Sequence, residues 1–165
     1  MMDLPDILES ELAEQYPTRL PVWWARHSFV SSHPVGKGIS GRSIVLRYPK
    51  KFGKLESLVQ RLLRGPKSIR RSLDRMNSLL WELCDGSRTF GRICELLDQT
   101  FHEDIAPVVK RTATAIHQFQ ELGLMIMLAE PDERVWLNGP GITPNGHEDD
   151  EPMPEDYDTK TLVDE

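Results

Sequence analysis

The sequence predicts an α+β fold, a small antiparallel sheet of about three strands followed by a three-helix bundle. Three observations carry it. Residues 73–128 contain three successive stretches with apolar residues at helical spacing, each closed by a turn signal. Three short runs rich in β-branched or aromatic residues, at 22–30, 42–48 and 67–73, precede them. Beyond residue 138 the chain turns to Pro, Gly and acids, with almost nothing left to bury.

In the first helix, Asp74 is placed to cap the opening turn by accepting from its free N–H groups. Met76, Leu79, Leu80, Leu83 and Cys84 then form one apolar stripe, which Asp85-Gly86 stops. Thr89 opens the second helix, with Phe90, Ile93, Cys94, Leu97 and Phe101 on one face. Asp104 is expected to cap the third, with Pro107 still in its first turn, where a missing N–H does little harm. Ile105, Val108, Val109, Thr112, Ile116 and Phe119 face inward, and Gly123 ends the helix before the apolar run 124–128.

Upstream, residues 3–16 suit a short acidic helix with Leu4, Ile7, Leu8 and Leu12 on one side, broken by Pro17 and Pro21. Residues 31–41 read as a loop from their Gly, Ser and Pro content, and 42–48, ended by Pro49, are the clearest strand. Residues 50–64 form an inserted basic amphipathic helix, with Phe52, Leu55, Leu58, Val59, Leu62 and Leu63 on one face and Lys50, Lys51, Lys54, Arg61 and Arg64 around the rest. Such a helix can lie on an anionic membrane surface or dock on a partner. The commoner arrangement, an apolar stripe packed on the domain's own sheet, is the expectation here. In residues 67–73, Ile69, Arg71 and Leu73 alternate with Arg70 and Ser72, a strand that feeds directly into the helices. The runs 124–128 and 134–137 flank Ala129-Glu130-Pro131-Asp132-Glu133 and suggest a C-terminal hairpin. The organisation expected is an acidic N-terminal helix and linker over 1–21, one domain over 22–137 with its core at 68–128, and an acidic disordered tail over 138–165.

The net charge of −6 hides a segregation. Residues 37–75 hold 12 Lys/Arg against Glu56 and Asp74, while 129–165 hold 12 Asp/Glu against Arg134 and Lys160. A basic block beside an acidic tail suits an anionic partner, or screening of one by the other. No run reaches the ~20 apolar residues of a membrane span, and the acidic start lacks a signal peptide's basic-then-apolar order, so a cytoplasmic setting is expected. Cys84 and Cys94 sit on apolar helix faces without partner His spacing and are expected to be buried, reduced and metal-free.

No catalytic constellation emerges. His27, His33, His102, His117 and His147 are scattered, Gly36-Lys37-Gly38 lacks the strand–loop–helix setting of a phosphate loop, and no GxSxG elbow frames a nucleophile. Neither an enzyme nor a cofactor is expected. Recognition remains, and strands followed by three helices give a winged-helix-like shape with two binding modes. An extended peptide can add to an open sheet edge, or the third helix can enter a DNA major groove. Glu103 and Asp104 at the start of that helix would repel phosphates and weigh against the second mode, which makes nucleic acid an unfavoured partner.

The ordered series Leu73-Asp74, Trp81-Glu82-Leu83-Cys84-Asp85-Gly86, Arg88-Thr89 and Leu122-Gly123-Leu124 resembles the PqqD-like family, named for protein D of pyrroloquinoline-quinone biosynthesis. Members of that family are peptide-recognition modules: they hold the leader of a ribosomally made precursor peptide between the third strand and the third helix. They present it to a modifying enzyme, often of the radical S-adenosylmethionine type. The resemblance implies a site here made of Ser68, Ile69, Arg70, Arg71, Ser72 and Leu73 on the strand, facing Lys110, Arg111, Thr114, His117 and Gln118 on the helix 104–122. Arg70, Arg71, Lys110 and Arg111 would suit an acidic leader, because guanidinium groups pair readily with carboxylates. The chain departs from the compact family pattern in its inserted 50–64 helix and acidic tail, either of which could cover the edge a peptide needs.

Overall fold

The computed structural model describes residues 11–27, 39–49, 68–132, 134, 138–142 and 157–159. The elements run β1 (Tyr16–Arg19), β2 (Trp23–His27), β3 (Ser43–Pro49), β4 (Ser68–Ser72), α1 (Arg75–Leu83), α2 (Phe90–Phe101), a 3-10 turn (His102–Ile105), α3 (Val108–Glu121) and β5 (Met125–Leu128). β2, β3 and β4 form a three-stranded antiparallel sheet in that order. The α+β class, the small antiparallel sheet and the three helices that follow it are as the sequence predicts. The expected helix at 50–64 lies outside the described residues.

The helices form where their caps and stripes put them. Asp74 Oδ1 accepts from the Asn77 N–H at 2.8 Å, and Thr89 Oγ1 accepts from the Arg92 N–H at 3.2 Å. Leu79, Leu80, Leu83, Phe90, Ile93, Cys94, Leu97, Phe101, Ile116 and Phe119 are all buried and meet Trp24, Ile44 and Leu46 from the sheet in one apolar core. α1 is buried beyond its apolar stripe, because Trp81 and Glu82 are enclosed as well. Trp81 stacks at a tilt on Phe119 with ring centroids 5.4 Å apart, and meets Trp24 edge-on at 6.4 Å.

Three expectations are corrected. The third helix does not start at Asp104: residues His102–Ile105 make a separate 3-10 turn, Pro107 is the residue before the helix, and α3 begins at Val108. The cause is local. A residue preceding proline is pushed out of the α region, and Ala106 is extended with ψ 138°. Second, the N-terminal helix does not reach residue 16. Residues 11–14 turn, and Tyr16–Arg19 forms β1, while 1–10 lie outside the described residues. Pro17 is tolerated because a short two-stranded ribbon leaves positions whose N–H is not needed.

β5 pairs with β1 in the register Tyr16↔Leu128 to Arg19↔Met125. Most of the proposed return arm, 135–137, lies outside the described residues. Third, the segment from Asn138 onward has defined structure at two places. Asn138 bonds to Arg19 and to the Trp24 indole, the Gly141 N–H donates to Trp24 O of β2, and 157–159 run antiparallel to the same strand's outer edge through the Arg26↔Asp158 bridge.

Candidate functional site

β4 is the third strand of its sheet, and among the described residues it pairs with β3 alone. Its register is Val45↔Ser72 through Pro49↔Ser68, and the Leu73 N–H extends the ladder by donating to Ile44 O at 2.8 Å. Ile69 and Leu73 turn toward the core, whereas Arg70, Arg71 and Ser72 are exposed. A sheet edge whose outer row of backbone donors and acceptors is unpaired can take a guest chain as an added strand.

From the end of β4 the chain passes Leu73 into the Asp74 cap, and a cavity of about 100 Å³ opens at that junction. Asp74, Met76, Asn77 and Leu80 of the α1 start, Ile105, and Arg111, Thr112 and Ala115 of α3 wall it, with Leu97 at its floor. Arg111 spans its mouth. Its guanidinium donates to the Asp104 carbonyl and lies 3.8 Å from the Met76 sulfur. Arg111 shares this cavity with the Asp74 cap that follows β4, while none of residues 68–73 lines it.

The other helix positions divide. Lys110, Thr114, His117 and Gln118 are exposed, with Thr114 Oγ1 bonded to the Lys110 carbonyl at 2.8 Å and His117 Nε2 3.3 Å from Glu121 Oε1. None of these four lines the cavity; Thr112 and Ala115, one and four residues past Arg111, do. Asp74, Met76, Asn77 and Ala115 escaped the sequence-based selection. The signal for the first three was the cap itself, which fixes the α1 start directly beyond β4.

A second polar cluster lies deep in the fold. Arg19 of β1 donates from Nη1 to the carbonyls of Trp81 at 2.7 Å and Glu82 at 3.1 Å, the open end of α1. Its Nε and Nη2 donate to Asn138 O and Oδ1, and its backbone N–H to Cys84 O at 2.8 Å. The Trp24 indole donates to Asn138 O at 2.9 Å, and the Arg19 guanidinium stands 4.8 Å over the Trp24 ring. Arg26 is paired with Glu82 at 2.9 Å, both side chains enclosed, and Glu82 also accepts from the Ser40 amide and hydroxyl. Burial lowers the Arg19 pKa from 12.5 to about 10, although Asp85 pulls the other way.

This set is fully engaged in holding β1, α1 and residue 138 together, which marks it as structural. The thiols are structural too. Cys84 and Cys94 are buried and unpaired with each other; burial drives Cys84 far above its ordinary value and pushes Cys94 up to about 12, against the Thr112 hydroxyl. Among the described residues, no group of three or more His, Cys, Asp or Glu is placed to hold a metal ion. No described helix is long and apolar enough to cross a membrane. Comparison with protein-family models, with curated proteins and with solved structures finds no match.

Proposed function

We propose that the protein is a non-catalytic peptide-binding adaptor of the cytoplasm, which holds an extended precursor or leader peptide and presents it to a modifying enzyme, in the manner of the PqqD-like modules it resembles. The observation that carries the reading is the edge of β4, which has β3 as its described partner and opens beside the cavity that Arg111 spans. A guest strand would bond to the outward backbone groups of residues 68–72. The cavity would take one of its side chains, and Arg70, Arg71, Lys110 and Arg111 would select acidic residues along it. Exposed Glu103 and Asp104, just before α3, disfavour the DNA-binding alternative, since they stand where phosphates would approach.

The test is hydrogen exchange on the full chain with a set of acidic extended peptides of about twenty residues, followed by anisotropy on the best binder. The expected result is new amide protection confined to residues 68–73. Arg71→Glu combined with Arg111→Glu should weaken binding by at least about tenfold, or 1.4 kcal/mol, with thermal unfolding unchanged. Binding without protection at β4, or binding indifferent to both charge reversals, overturns the reading.

A further inference from the structure

The opposite edge of the sheet, the outer edge of β2, carries an occupant from the chain's own C-terminal region. The Arg26 N–H donates to Asp158 O at 2.9 Å and the Asp158 N–H returns to Arg26 O at 2.8 Å, the reciprocal bonds of an antiparallel pair. Two side chains flank that pair. Tyr157 packs on Trp23, with ring centroids 6.2 Å apart, and on His27 at 5.7 Å, adding to the small cluster Trp23, Ala25 and Val45 on the sheet's outer face. The Asp158 carboxylate lies 3.2 Å from Arg42 Nη1.

The remaining wall is Gly141. Its N–H donates to Trp24 O at 2.8 Å, and a Cβ on it would fall 2.7 Å from Thr159 Cβ. Its φ of +73° is also one that L side chains rarely adopt. A backbone edge, an aromatic shelf, a cation and a glycine gap thus converge on three consecutive residues.

We propose that the outer edge of β2 is a second strand-docking site, selective for an extended segment in which an aromatic residue precedes aspartate, and that Tyr157–Thr159 is its resident, exchangeable occupant. The occupant's grip is slight. Among the described residues one residue pair supplies its ladder, where β3 holds β2 through five, and its ion pair is partly exposed, so solvent weakens it. A tethered segment held this lightly acts as a cis competitor, its advantage coming from effective concentration. The site is distinct from the β4 edge, so it stands or falls independently of the adaptor reading.

The experiment uses the full chain and a labelled synthetic peptide with the sequence of residues 151–165. The full chain carrying Tyr157→Ala and Asp158→Ala, its own occupant disabled, should bind the peptide at least about tenfold more tightly than the wild-type chain. Adding Arg42→Glu to that variant should remove the binding. Equal affinity for variant and wild type, no affinity for either, or binding that survives Arg42→Glu overturns the proposal. Should the double variant fail to fold, the Arg26 amide supplies a separate readout. Its exchange should be at least about tenfold slower in the wild-type chain than in the Arg42→Glu chain, and equal rates overturn the proposal.

Discussion

Arg26 Nε and Glu82 Oε2 meet at 2.9 Å with both side chains out of reach of water, one on a sheet strand and the other in the last turn of the core-facing helix α1. Breaking a buried pair by removing one member costs about 3–5 kcal/mol. Glu82→Ala should therefore lower the free energy of urea unfolding by about that amount. The Ser40 amide and hydroxyl lose their acceptor in the same step. A change below about 1 kcal/mol would mean that water reaches the pair.

Gly86 is constrained twice. Its φ is +89°, and a Cβ there would approach Asp132 O and Thr18 Oγ1 to 3.1 Å. Since one neighbour is backbone, relief requires the turn to shift. Gly86→Ala should cost more than about 1 kcal/mol in chemical unfolding.

The Cys94 thiol gives the protein an alkaline weakness. In the folded state its pKa is pushed up from 9.0 to about 12 by burial, so the unfolded chain ionises first as pH rises. The stability this thiol contributes is complete below pH 9 and is lost progressively up to about 12, some ~4 kcal/mol in all. Arg19 acts in the opposite sense, because its folded value of about 10 lies below its ordinary 12.5, and it adds stability as pH climbs between those two values. Unfolding measured at pH 8, 9 and 10 should show a decline above 9 that is shallower in Cys94→Ala.

Asp74 caps α1 through the Asn77 amide and also borders the cavity beside β4. Asp74→Ala should cost about 1 kcal/mol, seen as a fall of about 3 °C in the unfolding midpoint. Under the adaptor reading, the same variant should retain an acidic peptide, because the carboxylate removed is a like charge at the mouth of the groove.

What the sequence revealed follows from the range of each interaction. Asp74 and Thr89 were legible because a cap is a matter of three residues, and the apolar faces of α1 and α2 because periodicity is local. α3 was misjudged at its start because the effect of Pro107 on Ala106 outweighed the capping potential of Asp104. β1, its pairing with β5, and the embrace of Arg19 by Asn138 were hidden, since they join positions more than a hundred residues apart. Buried Arg19, Arg26 and Glu82 read as surface charges until their partners are seen. In the candidate site, the β4 run and Arg111 were visible in advance. The cavity was not, because Met76 and Ala115 become neighbours only when α1 crosses α3.

Arg19 takes hold of Asn138 across 119 positions of sequence. During synthesis, the fourth decade past residue 100 must clear the ribosome before the first strand can find its last anchor. Until then Arg19 can already bond the carbonyls that end α1, but its Nε and Nη2 lack the Asn138 oxygens that fix it there.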